Sequence, residues 1–302
     1  MISRRCLLMS VSLGSGQAVA AAAAGGAASA RTEGRIHSAG MPDGWANWRS
    51  TWADLKRLHG LAHLDENMNS AQIVERMAAE GAQASLDIGD VGFEWGAIAR
   101  GRGVSRPHKP ATWAQIPAWA KDEDGYWALA YTGTIAFLVN TRRIGGRIPH
   151  SWKALFDGGY TVGIGEVGSS AQSSASVLAA AIALGGDESN LQPALQQFAL
   201  LAKQGRLVFK NPGPNLPAQA KVDVFLMWDF LALSNRSKLP KPTDYRVLIP
   251  SDGSVTSGYT TLINRHAPHP LAAELAREYI FSDAGQLNLA EGFARPIRIE
   301  HL

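Results

Sequence analysis

The chain has 302 residues, 46% of them hydrophobic, with 29 lysines and arginines against 26 acidic residues and one cysteine, Cys6. Arg4 and Arg5 are the only charged residues among the first 30, so beyond that segment 27 of the 29 basic residues face 26 acids, a near-neutral balance that gives no support to a nucleic-acid or anionic-membrane partner. Beyond Cys6 there is no thiol, which excludes a disulfide framework, zinc thiolates and a cysteine nucleophile from a remainder long enough for two domains or one large one.

The first 30 residues, MISRRCLLMSVSLGSGQAVAAAAAGGAASA, place Arg4-Arg5 ahead of a mildly apolar stretch that closes on Ala28-Ser29-Ala30. Basic, apolar and small-x-small residues in that order predict an export signal cleaved after Ala30, not a membrane span. Ser3 to Leu8 also resembles a twin-arginine motif, although paired arginines occur in ordinary signals too. No later stretch is apolar enough to span a bilayer, so the expectation is a soluble exported protein.

GRIHSAGMPDGW predicts a strand ending at Gly40 and a helix from about Trp45 to Leu58, with Trp48, Trp52 and Leu55 at helical spacing as core. LAHLDENMNSAQIVERMAAEG predicts a second strand and a helix capped by Ser70, with Ile73, Val74 and Met77 facing inward. ASLDIGDVGFEWGAIARG predicts a third strand followed by a turn. A polar connection rich in proline and tryptophan runs from Gly101 to Gly125, ahead of the strand-rich YWALAYTGTIAFLVNTRRI. Strands alternating with helices indicate a mostly parallel sheet, in which ligands bind beyond the carboxyl ends of the strands.

A second alternating region runs from SWKALFDGGYTVGIG through KVDVFLMWDFLAL. Within it, GIGEVG fits the G-x-G-x-x-G template of a dinucleotide-binding loop, with a short strand before it and a helix over Ser169 to Leu184 after it. The template's third requirement, an acid at the tip of the next strand, is missing, because Asp187 and Glu188 lie in a turn leading to a second helical stretch. The loop therefore reads as a strand-to-helix turn. Its Ser169-Ser170 either caps the helix or offers donors to a polar ligand. The extended YRVLIPSDGSVTSGYTTLIN and the helical LAAELAREYIFSDAGQLNLAEG close the chain. Two extended segments flanking one α/β unit suggest a domain inserted into another.

These segments carry a resemblance. GMPDGWANW, DIGDVGF, AYTGTIAFLVNTRRI followed by SWKALFD, VDVFLMWDF and the tail INRHAPHPLAAELAREYIFSDAGQ resemble a type II periplasmic solute-binding protein of an ABC importer, in the group that includes iron, polyamine, thiamine and phosphonate binders. The resemblance implies an α/β, two-lobed periplasmic-binding-protein fold, each lobe a mostly parallel sheet flanked by helices, joined by a two-strand hinge. It places lobe one at 31–131 plus 258–302 and lobe two, inserted, at 132–257. It also implies a periplasmic location, a small-molecule solute, permease subunits of an ABC transporter as partners, a monomer, no cofactor and no catalysis.

If the cleft lies at strand ends, the first loop supplies Met41, Asp43 and Trp45, and the third supplies Asp87, Asp90 and Trp95. The crossing strand supplies Tyr131 and Thr132, the GIGEVG turn supplies Glu166, Ser169 and Ser170, and VFLMWDF supplies Trp228 and Asp229, with Trp228 read as an exposed ring. Ser257 and Tyr259 come from the return crossing. Asp87 and Asp90 could instead cap the following helix. Acids mixed with aromatic rings suit an organic cation, since π faces attract an ammonium and carboxylates accept its N–H bonds. In the resemblance, Trp45, Trp228 and Asp229 fall where polyamine binders have aromatic and acidic contacts. The serine-rich helix start argues instead for an anion, and an amino-phosphonate or similar zwitterion would satisfy both. Iron binders of the group commonly present adjacent tyrosines, whereas Tyr245 and Tyr259 stand apart and the eight histidines form no metal spacing. A chelated metal stays open as an alternative. So does a secreted α/β enzyme, although G-x-S-x-G and H-E-x-x-H are absent and its site would have to be assembled from distant residues.

Overall fold

The computed structural model describes residues 30–210 and 221–302. The export-signal reading, all but its last residue, lies outside them. Among the described residues the chain forms strands β1 (Arg35–Ala39), β2 (Ala62–Glu66), β3 (Ile88–Gly92), β4 (Ser105–Arg106), β5 (Ala128–Asn140), β6 (Val162–Ile164), β7 (Leu207–Phe209), β8 (Val224–Trp228), β9 (Tyr245–Leu248), β10 (Thr256–Asn264) and β11 (Arg295–Pro296). Its α-helices are α1 (Trp48–His59), α2 (Ser70–Glu80), α3 (Phe93–Gly101), α4 (Trp152–Asp157), α5 (Ala171–Ala183), α6 (Gln192–Lys203), α7 (Asp229–Ser237), α8 (Pro270–Ile280) and α9 (Asp283–Glu291). None is long and apolar enough to cross a membrane.

The strands join in the order β2-β1-β3-β10-β5-β8-β6-β7. At one end β1 pairs in parallel with β2 and β3, and at the other β6 pairs in parallel with β7 and β8. β5 links the two halves. Its first part, Ala128 to Thr134, lies antiparallel to β10, and its second part, Ile135 to Asn140, lies against β8 and β9. All but two of its 13 residues are buried, which explains why its apolar residues do not alternate with polar ones. The chain returns from β9 in the second half to β10 in the first, so two segments cross between them.

α1 buries Trp48, Thr51, Trp52 and Leu55 along one stripe, the spacing that marks it in sequence. It begins three residues later than Trp45, because Ala46 and Asn47 hold left-handed φ values of 45° and 58° that no helix allows. α2 is capped by Asn69, not Ser70: Asn69 and Gln72 form a reciprocal capping box. Ser70 is thereby free for another task, and its hydroxyl accepts the N–H of Gly92 at 2.9 Å, tying the start of α2 to the end of β3. A helix, α3, follows β3 where only a turn is expected. Its buried residues are Gly96 and Ala99, too small to give a hydrophobic period.

Asp87, fully buried just ahead of β3, caps no helix following that strand. Its carboxylate accepts the backbone N–H of His37 at 2.8 Å and that of His269 at 2.7 Å, and meets the His269 ring at 2.9 Å. The arrangement also partly buries His269. It joins β1 and the start of α8 through one side chain. Asp87→Ala is therefore expected to cost about 3 kcal/mol, since two part-buried donors lose a charged, fully buried acceptor. The midpoint of urea unfolding measures this, and a loss below about 1 kcal/mol would show that water replaces the carboxylate.

Candidate functional site

Between the two halves lies a cavity of about 380 Å³. The strand-end rule accounts for its walls: Trp45 follows β1, Asn67 to Ser70 follow β2, Asp90 lies in β3, and Glu166 and Ser170 follow β6. Leu231 of α7 and Tyr259 of β10 complete it.

Aromatic rings shape one side. Trp45 packs edge-on to Tyr259 at 5.2 Å and to Phe230 at 5.3 Å, and Tyr131 stacks on Tyr259 at 5.6 Å. Their polar atoms are ordered behind the rings. The Trp45 indole N–H donates to the Tyr131 hydroxyl at 2.7 Å, and that hydroxyl donates to Oδ2 of Asp90 at 2.5 Å. Oδ1 of Asp90 has no hydrogen-bond partner, and the Trp48 indole N–H lies near enough to favour the ionised form without completing a hydrogen bond. Burial pushes the Asp90 carboxyl well above the usual carboxylate range, Asp65 adds like-charge repulsion, and the bond from Tyr131 offsets only part of this. Burial likewise raises Tyr131 and Tyr259, which stay protonated donors.

Two acids, Asp90 and Glu166, line the cavity, and no lysine, arginine or histidine among the described residues does. The starts of α2 and α5 also face it. Each already has a cap, Asn69 with Gln72 in α2, and in α5 the Ser170 hydroxyl, which accepts the Ser173 N–H at 3.5 Å. Acidic groups without a basic counterpart, together with the rings, favour a cation, while the occupied caps leave little for a full anion.

Of the residues singled out in sequence, the cavity brings together Trp45, Asp90, Glu166, Ser170 and Tyr259. Tyr131 stands one layer behind, and Thr132 pairs with Gly258 and Arg295 in the crossing strands. Ser169 is not in the cavity wall, and its hydroxyl has no partner. Asp43 faces a second cavity of about 310 Å³ and pairs with Arg49. Trp228 is not the exposed ring expected from its strand-end position: it is 1% exposed, its indole N–H donates to the Tyr259 hydroxyl at 3.1 Å, and its backbone N–H donates to Gln172. Strands of this sheet are covered on both faces, so a strand end gives no assurance of exposure. Asp229 next to it accepts the N–H groups of Thr134 and Phe230 and pairs with Arg295.

Sequence reasoning missed Asn67, Asn69, Gln72 and Gln172, which also line the cavity. The signal was present, since Asn67 to Ser70 follow the second strand as Met41 to Trp45 follow the first. Gln172 gave none: it sits inside an alanine- and serine-rich helix, and its role depends on its bond to Trp228.

Comparison with known proteins bears on the family and the fold. The model of a family described as bacterial extracellular solute-binding protein matches residues 92–301. No curated protein sequence matches the chain. Among solved structures, the periplasmic binding protein AfuA from Actinobacillus pleuropneumoniae, bound to fructose-6-phosphate, is similar with a TM-score of 0.72 at 16% identity, covering 88% of this chain and 85% of that one. Iron-bound HitA from Pseudomonas aeruginosa is similar with a TM-score of 0.70 at 17% identity, covering 87% and 86%. A protein from Listeria monocytogenes described as a spermidine/putrescine ABC transporter is similar with a TM-score of 0.68 at 14% identity, covering 88% and 84%. At these identities the likeness is one of fold.

Proposed function

The chain belongs to the bacterial extracellular solute-binding proteins, and we propose that the solute it captures is a small organic amine, or a zwitterion held by its amine, in the cavity between the two halves. The observation that carries this reading is the cavity lining: two carboxyl groups, of Asp90 and Glu166, beside the rings of Trp45 and Tyr259, with no basic side chain among the described lining residues. An ammonium gains from both kinds of group. Sugar phosphate, iron and spermidine/putrescine, named for similar structures, differ in charge and do not choose between ligands. Among the described residues no group of three His, Cys, Asp or Glu side chains is placed to hold a metal ion.

The proposed mechanism is hinged capture. Lobe one, 31–131 plus 258–302, and lobe two, 132–257, close on the solute about the crossing strands, and the closed surface docks on an ABC permease. A solute favours closure only by the difference in its affinity for the two forms.

Asp90 gives the reading a pH signature. Burial holds its proton, and a cation in the cavity favours the ionised form, so binding is expected to release a proton and affinity to rise with pH through the shifted range. Calorimetry of a bound amine in buffers of different ionisation enthalpy measures the release. No release together with a flat pH profile would remove Asp90 from the amine contact.

A further inference from the structure

Gly92 ends β3 in the first half of the molecule, and Ala171 begins α5 in the second. A Cβ on Gly92 would stand 2.4 Å from the Cβ of Ala171. Two methyl carbons in contact need about 3.5 to 4.0 Å, so the two halves approach here as closely as a residue without a side chain allows. Backbone conformation does not demand glycine, because φ −54° and ψ 152° are open to any residue. Space alone does. The other atoms that a Cβ would meet, the Glu94 carboxylate oxygens at 3.1 and 3.2 Å, end a flexible side chain and can move aside.

Neither side of the contact can yield locally. Gly92 is held by its N–H bond to Ser70 at 2.9 Å and by its pairing with Tyr259 in β10. Ala171 is 6% exposed, follows the capping Ser170, and precedes Gln172, whose side chain accepts the backbone N–H of Trp228 at 3.0 Å. Ser70, Ser170, Ala171 and Gln172 all line the cavity, so this contact is the seam along which the cavity wall becomes continuous. With both backbones fixed, the soft degree of freedom is rotation of one half against the other about the crossing strands.

We propose that Gly92 is a positioning residue for solute capture: with Ala171 it forms a closure seam whose combined size sets how far the lobes close, and so sets affinity without Gly92 touching the solute. The proposal rests on the reading of the cavity as the capture site. A methyl group at position 92 props the seam open and lowers the fraction of molecules in the closed form, which weakens apparent affinity by that fraction.

The test uses the mature protein as wild type, Gly92→Ala, Ala171→Gly and the double variant, with 1,4-diaminobutane as probe. Small-angle scattering measures the radius of gyration with and without the probe, and calorimetry measures affinity. Gly92→Ala is expected to enlarge the most compact state by ~1 Å on a radius of roughly 19 Å and to weaken diamine binding tenfold or more by order of magnitude. Removing the opposing methyl in the double variant is expected to restore both to within about threefold of wild type. A change in either quantity that Ala171→Gly reverses supports the seam. No change in either, or a change that Ala171→Gly does not reverse, overturns it. If wild type binds no diamine, the amine reading fails on that probe and scattering alone decides the seam.

Discussion

Replacing Asp90 with asparagine is expected to weaken amine binding by roughly 10- to 150-fold, the effect of the about 1.5 to 3 kcal/mol that a hydrogen bond to a charged group contributes. The melting temperature of the solute-free protein should stay the same or rise. Burial raises the Asp90 pKa in the folded state, so the folded protein holds this proton more tightly than the unfolded chain does. Stability from such a group is complete below the unfolded pKa and declines as pH rises. Asparagine carries no charge to bury, and its carbonyl can still accept the Tyr131 hydroxyl. Lost affinity with undiminished stability is the mark of a residue kept for its ligand. A lower melting temperature with unchanged affinity would instead make Asp90 a structural acid.

Asp229→Ala is expected to behave in the opposite way. The carboxylate accepts the buried N–H of Thr134 at 2.9 Å and that of Phe230 at 2.9 Å, and pairs with Arg295, so one side chain fastens the start of α7 to the crossing strand β5 and to β11. Its loss leaves the Thr134 and Phe230 amides without their acceptor, at a cost of about 2 to 3 kcal/mol. Arg295 adds little, because its side chain is 44% exposed and water replaces its partner. For a chain of this length the expected drop in melting temperature is roughly 3 to 6 °C. Affinity should fall only as far as the hinge is loosened. An unchanged melting temperature with affinity lost tenfold or more would return Asp229 to the solute.

These two acids show where sequence reasoning reaches and where it stops. Asp229 follows the end of β8, Asp90 lies within β3, and both are acids that a cation could use. The strand-end rule placed them near a cleft, and the alternation of strands and helices placed the cleft between two α/β units. What sequence could not give was the second partner of each. Asp229 is consumed by the Thr134 and Phe230 amides and by Arg295, which lies 66 residues away. Asp90 meets Tyr131, 41 residues away, with only one of its oxygens. Trp228 was misjudged for the same reason, since its burial depends on Tyr259 and Gln172 reaching it from other elements. Short-range features fared better: the core face of α1 and the missing ribose acid after GIGEVG were legible because they depend only on near neighbours. The α2 cap is a one-residue exception: the Asn69–Gln72 capping box leaves Ser70 to accept the N–H of Gly92.

The account rests on a cation in the cavity, and a thermal-shift screen of the protein tests it most directly. Polyamines, other primary and secondary amines, amino-phosphonates, sugar phosphates and ferric chelates would be compared at matched concentrations, with calorimetry on each that stabilises. A solute that binds the native state raises its melting temperature in a saturable way. The predicted result is that amines raise it and phosphorylated or carboxylated compounds without an amine do not. Stabilisation by anions alone would contradict the account, moving the recognition element to the starts of α2 and α5 and leaving Asp90 with no part in it.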